Sequence, residues 1–331
     1  MLLSGPATVP LPFTVHLNLD QRPIPQGPVI SVPGSFPRNR WFAFETLALV
    51  SLVGLSEFAG VRAAGQDAFD PYTAHTSESE IRRLQLFPDG LIYHPYLAGP
   101  KESRTGVQFA SDGDGGWSWY ATIGGQVGLL RYGTLDNYRP VGIELDIEGS
   151  AQFRSLDGNI LNTESTDIRF GVPLTIGWGG QETKLELCFL GANPAKDLFQ
   201  SSENPEQWFF ERRSILLGHS IHFGNNFRVY GEVGYAFQAT LSGEWEFQFG
   251  AEYVPVMPTH IFGAPFAAAN VYVLEVDDYG GNLTLEAGWC WRGKNARLLR
   301  GGVFYSNGFS NSFAFQDRNE QMVGFGLWHD F

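Results

Sequence analysis

Little charge, little cysteine and no long apolar run set the first limits on this chain. Lys, Arg, Asp and Glu make up only 17% of its 331 residues, below the usual quarter. Basic residues are outnumbered 22 to 35, for a net charge of −13, so no nucleic-acid partner is expected. Two cysteines, Cys188 and Cys290, cannot build a disulfide framework. After residue 65 no run of strongly apolar residues is long enough for a membrane-spanning helix. What the chain has instead is 40 glycines, 15% aromatic residues and a 43% hydrophobic fraction. That composition suits strands better than helices, and the length holds one large domain or two small ones.

The N-terminal third of the sequence is heterogeneous. Residues 1–37 are rich in proline, with little periodicity, and are read as an unstructured extension or as sequence ahead of the true start. Arg38-Asn39-Arg40 is basic, 41–56 (WFAFETLALVSLVGLS) is apolar apart from Glu45, and small residues come next in AGVRAAGQ (59–66). This three-part layout predicts a secretory signal peptide over 38–65, cut near Ala64. A single amphipathic or membrane-anchoring helix would show the same pattern. Residues 66–104 form a separate helix and loop segment, a plug or periplasmic cap for the strands C-terminal to it. Within it SESEIRRLQLF (77–87) predicts a short helix, with Ser77 as N-cap and Glu80 at the third position. Pro88 ends it, Asp89-Gly90 makes a turn, and 91–104 (LIYHPYLAGPKESR) is an ordered loop leading into the first strand.

From about residue 105 apolar and polar residues alternate with period two. In WEFQFGAEY (245–253) Trp245, Phe247, Phe249, Ala251 and Tyr253 share one face and Glu246, Gln248 and Glu252 the other. FRVYGEVGYAF (227–237), VGIELDIE (141–148), LTLEAGWCWR (283–292), WSWYATIGGQVGL (117–129), TDIRFGVPLTI (166–176) and TKLELCF (183–189) obey the same rule. Polar turn clusters such as LDGN (156–159), WGGQ (178–181), GNN (224–226) and GGN (280–282) separate the runs. About twelve strands are predicted, at 105–111, 117–131, 141–153, 165–178, 182–192, 210–223, 227–239, 243–254, 267–277, 282–293, 296–306 and 321–331. Those at 267–277 and 296–306 alternate poorly, and Pro173 predicts a bulge or weak point in its run. The fold expected is all-β: a closed antiparallel up-and-down transmembrane β-barrel over 105–331.

Alternation alone does not say which face is inside. In a soluble barrel the apolar face would be the core; in a membrane barrel it meets lipid and the polar face lines the lumen. Export, and aromatics such as Trp117, Trp245, Tyr253 and Trp289 near the run ends, favour the membrane. So does the last strand, MVGFGLWHDF (322–331), whose Phe325, Gly326, Leu327 and terminal Phe331 fit a barrel-assembly signal, with His329 where an aromatic is expected. The lumen would then be lined by Glu144, Asp146, Glu148, Arg169, Lys184, Glu186, Arg228, Glu232, Glu246, Glu252, Glu286 and Arg292. Charges so placed need water, partners or both, and an acidic lining would bias a pore toward cations.

Several stretches resemble the domain-of-unknown-function 1207 family of bacterial proteins: 86–104, TIGGQVGLLRYG (122–133), VGIELDIEG (141–149), FRVYGEVGYAF (227–237), WEFQFGAEY (245–253), GGNLTLEAGWCWRG (280–293) and GFGLWHDF (324–331). The resemblance covers about 86–331 and implies an exported, barrel-like protein with no assigned activity. Members of that family carry a His- and Ser-rich segment after the fifth strand, with a Gly-Asp-Glu after it. Here CFLGANPAKD (188–197) puts Phe189, Gly191, Ala192 and Asn193 in those places. Any role of that polar cluster is therefore not expected in this chain.

Catalytic signals are few. Ser220 and His222 share the lumen face and form the one candidate dyad for a lipid hydrolase, although polar residues beside a turn account for them without catalysis. His219 and His222 face oppositely, which disfavours a shared metal. Cys188 and Cys290 both project inward on distant strands, so free thiols are expected. Neither cofactor nor metal is expected. Three functions remain, in this order: a porin-like channel with an acidic lumen, passing small solutes or cations; a structural or surface-interaction barrel with a closed, salt-bridged lumen; and an outer-membrane lipid hydrolase. The partners expected are outer-membrane lipid and the barrel-assembly machinery.

Overall fold

The computed structural model describes residues 82–331, apart from 113–115, 137, 157–162, 195–209, 260–262, 277–278, 294–295 and 316–317. The predicted extension (1–37), signal peptide (38–65) and residues 66–81 lie outside the described residues. The strands are β1 (Arg83–Leu86), β2 (Thr105–Asp112), β3 (Trp117–Gly133), β4 (Gly142–Leu156), β5 (Thr163–Trp178), β6 (Gln181–Pro194) and β7 (Phe210–Phe223). They continue with β8 (Phe227–Ala239), β9 (Trp245–Tyr253), β10 (Ala264–Leu274), β11 (Gly280–Arg292), β12 (Leu298–Phe309) and β13 (Asn319–Asp330).

Strands β2 to β13 each pair antiparallel with their neighbours in sequence, and β13 pairs with β2. The wall is therefore a closed twelve-stranded up-and-down barrel. Closure removes the sheet edges that such apolar strands would otherwise expose. Strand direction places the start of β2 and the end of β13 at one rim, the terminal end. The opposite rim is the loop end.

Side chains alternate as the period-two pattern requires. Along β6, Thr183, Leu185 and Leu187 face out while Glu182, Lys184, Glu186 and Cys188 are buried inside. The polar phase is the interior and the apolar phase the exterior, the reverse of a soluble barrel.

Three local departures from the sequence pattern shape the lumen. Residues 83–86 are extended, not helical. Strand β2 pairs only with residues 117–122 of β3, and β1 takes the remaining edge, pairing Arg83–Leu86 with Leu130–Gly133. RLQL also alternates with period two, and that edge offers unpaired backbone groups, so the strand wins over the helix. Pro173 is a weak point and not a bulge: the register of β4 and β5 is the same on both sides of it, but the rungs at Asp146 and Ile147 opposite Pro173 and Val172 are missing. A bulge lies instead at Leu129 in β3, where Gly128 pairs with Asp146 but Leu130 with Leu145. An extra residue reverses the facing of everything after it, so Arg131 points inward.

Strands β10 and β12 alternate poorly because their inner face is also apolar in part. Ala264, Phe266, Ala268, Leu298 and Phe304 are buried in one lumenal cluster with Leu97, Met322 and Trp328.

Candidate functional site

The lumen is occupied by the protein's own chain. After β1 the backbone turns at Phe87, whose φ of 49° is left-handed, and Phe87 N–H donates to Leu129 O at 3.1 Å. Residues 88–104 then run through the interior before rejoining the wall at β2. Leu91, Ile92, Tyr93, Tyr96, Leu97, Ala98, Ser103 and Arg104 in this segment are all buried.

Wall arginines hold the segment by its backbone. Arg131 pairs with Glu144 and donates to the carbonyls of Asp89 (3.2 Å) and Gly90 (2.7 Å). Arg228 donates to the carbonyls of His94 (2.8 Å) and Pro95 (3.3 Å), beside Glu252 at 3.5 Å and Glu182 at 3.8 Å. Arg300 pairs with Glu286 and Asp330 and donates to Leu97 O at 3.1 Å. The Leu97 amide in turn donates to Glu252 at 2.7 Å. Each guanidinium thus uses its fork twice, on a carboxylate and on a carbonyl that has no ladder partner.

Aromatic rings fill the centre. Tyr96 stacks on Tyr230 with centroids 3.8 Å apart, and its hydroxyl donates to Glu232 at 3.0 Å. Tyr93 and Tyr96 share a hydroxyl contact of 2.6 Å. Gly218 makes room for both, since a Cβ there would lie 2.9 Å from each hydroxyl. Lys184 sits about 5.4 and 5.3 Å from the two rings and pairs with Glu186 (2.9 Å) and Glu232 (2.8 Å). Arg169 continues the ladder to Glu186 at 2.8 Å and to Glu148.

A second segment turns inward at the loop end. Ser310–Phe315 is buried, and Phe313 stacks on Phe210 at 4.6 Å within a cluster that includes Leu190, Tyr272 and Phe309. The two inward segments meet at Asp167. This carboxylate pairs with Lys101 and accepts from the Phe313 amide (2.9 Å) and the Ser312 hydroxyl (3.2 Å). Burial pushes the Lys101 ammonium below its ordinary value, and Asp167 opposes the shift.

Of the twelve lumen residues read from the sequence, ten are buried, while Glu232 and Arg292 are half-buried, Arg292 at the terminal mouth. The sequence pattern missed Arg131, Arg154, Arg212 and Arg300, which are buried inside and paired with Glu144, with Glu164 and Glu320, with Glu246, and with Glu286 and Asp330. Lys101 and Arg104 are inside as well, but so are Glu102, Asp167, Glu182 and Asp330, so carboxylates still outnumber bases among the described interior residues, most of them paired. Of the C-terminal residues, Phe325 and Leu327 face outward, while Gly326 lies under the Trp328 ring.

No Ser–His contact exists between Ser220 and His222. The Ser220 hydroxyl donates to Glu182 at 3.0 Å, and His222 Nε2 meets the other oxygen of Glu182 at 2.8 Å. A carboxylate therefore stands where a hydrolase would need the imidazole as base. His219 is on the outer face beside Thr183, at 2.8 Å. Cys188 and Cys290 are free and buried.

No family model matches the chain, and no curated protein matches it. Among solved structures it is similar to the KdgM porin, at 8% identity and a TM-score of 0.40 over 69% of this chain and 99% of that one. It is also similar to outer membrane phospholipase A from Escherichia coli, at 12% identity and 0.42 over 71% of this chain and 97% of that one. The β domain of the Bordetella autotransporter BrkA gives 12% and 0.37 over 69% and 96%. At these scores the fold rests on the strand pairing itself.

Proposed function

We propose that this is an exported outer-membrane barrel, closed at rest by its own chain, with residues 88–104 as its plug and a structural or surface-interaction role. The observation that carries it is the three-point clamp of Arg131, Arg228 and Arg300 on the plug carbonyls. The apolar exterior supports the membrane: Leu187 is 59% exposed, Phe237 59% and Phe325 63%. A continuous outer belt of this kind would aggregate in water. Phe325, Gly326, Leu327 and Phe331 serve in this reading as the assembly signal of the last strand. Membership of the domain-of-unknown-function 1207 family is part of the proposal and rests on the matching segments between 86 and 331.

A porin-like passage would require the plug to leave. In planar bilayers the full chain is expected to carry no steady current, while the Arg228→Ala/Arg300→Ala variant, with two clamps removed, passes current in steps. Stepwise conductance of the unaltered chain would overturn the closed barrel in favour of a channel. Identical migration of boiled and unboiled protein on a denaturing gel would overturn the barrel in the membrane.

A further inference from the structure

The terminal end of the barrel opens into a solvent-connected cavity of about 80 Å³. The plug borders this cavity at His94, Pro95 and Leu97 and does not fill it. Tyr138, Arg139 and Arg292 line it, together with the apolar Phe227, Val254 and Leu298.

The charged side chains that line this mouth are equal in number, Glu182, Glu252 and Asp330 against Arg139, Arg228 and Arg292, but they are not paired off. Each carboxylate side chain is already engaged. Glu182 meets Ser220, His222 and Arg228. Glu252 accepts from the Leu97 amide and pairs with Arg228. Asp330 pairs with Arg300 and Arg104.

Arg139 and Arg292 pair with no carboxylate among the described residues. Their side-chain bonds go elsewhere: Arg139 to the Gly224 carbonyl (3.0 Å) and His222 Nδ1 (3.3 Å), and Arg292 to the Ala296 carbonyl (3.3 Å). The Nε of each is buried without an acceptor. The other described lumenal arginines, Arg104, Arg131, Arg154, Arg169, Arg212, Arg228 and Arg300, are each matched to an acid, so this pair departs from the pattern. One ring also holds the two together, since their guanidinium carbons lie 5.4 and 5.0 Å from the centroid of Tyr138. His94 does not alter the balance. Desolvation, opposed by Glu182 and reinforced by Arg228, Arg292 and His222, pushes its imidazole down to about 3 and leaves it neutral.

Two half-buried cations with donors to spare, at an open cavity with apolar walls, match one kind of ligand. A planar guanidinium fork fits the oxygens of a phosphate or carboxylate, and charge-assisted bonds of this type are the strong ones. The apolar lining supplies contact for a non-polar body, as small-molecule sites commonly do. We propose that the terminal mouth binds an organic oxyanion, its head held by Arg139 and Arg292 and its apolar body against Phe227, Val254 and Leu298. This site is independent of whether the lumen conducts.

The test is calorimetric titration of phenyl phosphate into the full chain in a nonionic detergent. Saturable binding is expected, and Arg139→Gln/Arg292→Gln should weaken it by about tenfold or more. Arg213→Gln, at an exposed arginine on the outer wall, should leave it unchanged. Phenol, without the anion, and glycerol 3-phosphate, without the apolar body, should both bind more weakly. Tighter binding of dihexanoyl phosphatidate than of phenyl phosphate would assign the site to a lipid head, and the reverse order to a soluble anion. If the double variant loses its heat-modifiable migration, Arg292→Lys replaces it: the charge stays, the fork goes, and a severalfold loss is expected. The proposal is overturned by absent saturable binding, by equal binding of phenol or glycerol 3-phosphate, or by unchanged affinity in the arginine variants.

Discussion

Arg228 is the residue on which the plug and the wall depend together. Its guanidinium faces Glu182 and Glu252 and also serves the carbonyls of His94 and Pro95. Truncation leaves two buried carboxylates and two carbonyls short of a partner. Removing one member of a buried ion pair costs about 3–5 kcal/mol, so Arg228→Ala is expected to lose stability on that scale in reversible urea unfolding from lipid vesicles. Arg213, half-exposed and paired with Glu211 outside the barrel, is the control, with an expected loss under about 1 kcal/mol. Equal losses in the two variants would mean that the clamp carries no weight. Arg228 was legible in the sequence because it falls on the polar phase of FRVYGEVGYAF. Arg131 was not, since a uniform phase through β3 puts it on the lipid side; only the extra residue at Leu129 turns it inward. Arg300 was hidden for another reason: Gly301 and Gly302 come directly after it and mark no face.

At the scale of elements, existence was easier to read than placement. The twelve wall strands follow from alternation and turn chemistry, and most fall where that pattern puts them. Strand β1 was not legible as a strand, because SESEIRR carries a capping signal while the β3 edge that captures RLQL exists only after β2 has paired. The inward fold of 310–315 was equally hidden: SNSFAF between two strands reads as an ordinary polar and aromatic loop. Its seat is Asp167, which joins that loop to Lys101 of the plug. Asp167→Asn keeps the shape and removes the charge, leaving the buried Lys101 ammonium uncompensated. The loop end should then open, with limited proteolysis cutting within 310–318 earlier than in the unaltered protein. Ser312→Ala removes only a neutral hydrogen bond, about 1 kcal/mol, and should change the cleavage lag little. An unchanged lag for Asp167→Asn would show that the two inward segments are not joined through this carboxylate.

For the whole molecule, the main inference turns on which side of the wall meets which solvent. The interior is largely polar and is occupied by the chain's own segments, so the apolar outer belt is left as the surface that must be satisfied from outside the chain. A soluble barrel would be improved by charge on that belt, whereas a membrane barrel would be harmed. Leu187 separates the two cases. It lies near the middle of β6, faces out, and is flanked across the ladders by Val172 and Ile215. Facing lipid at mid-depth, Leu187→Arg should cost about 2–4 kcal/mol in folding from urea into lipid vesicles, with a smaller loss in thinner bilayers where the guanidinium reaches the interface. The inner side chains next to it, Glu186 and Cys188, point away, so the plug clamp stays intact and the loss belongs to the lipid contact. If Leu187→Arg instead folded as well as the unaltered chain and became more soluble without lipid, the outer belt would not be a membrane surface. The clamped plug would then seal a water-borne barrel with no membrane role.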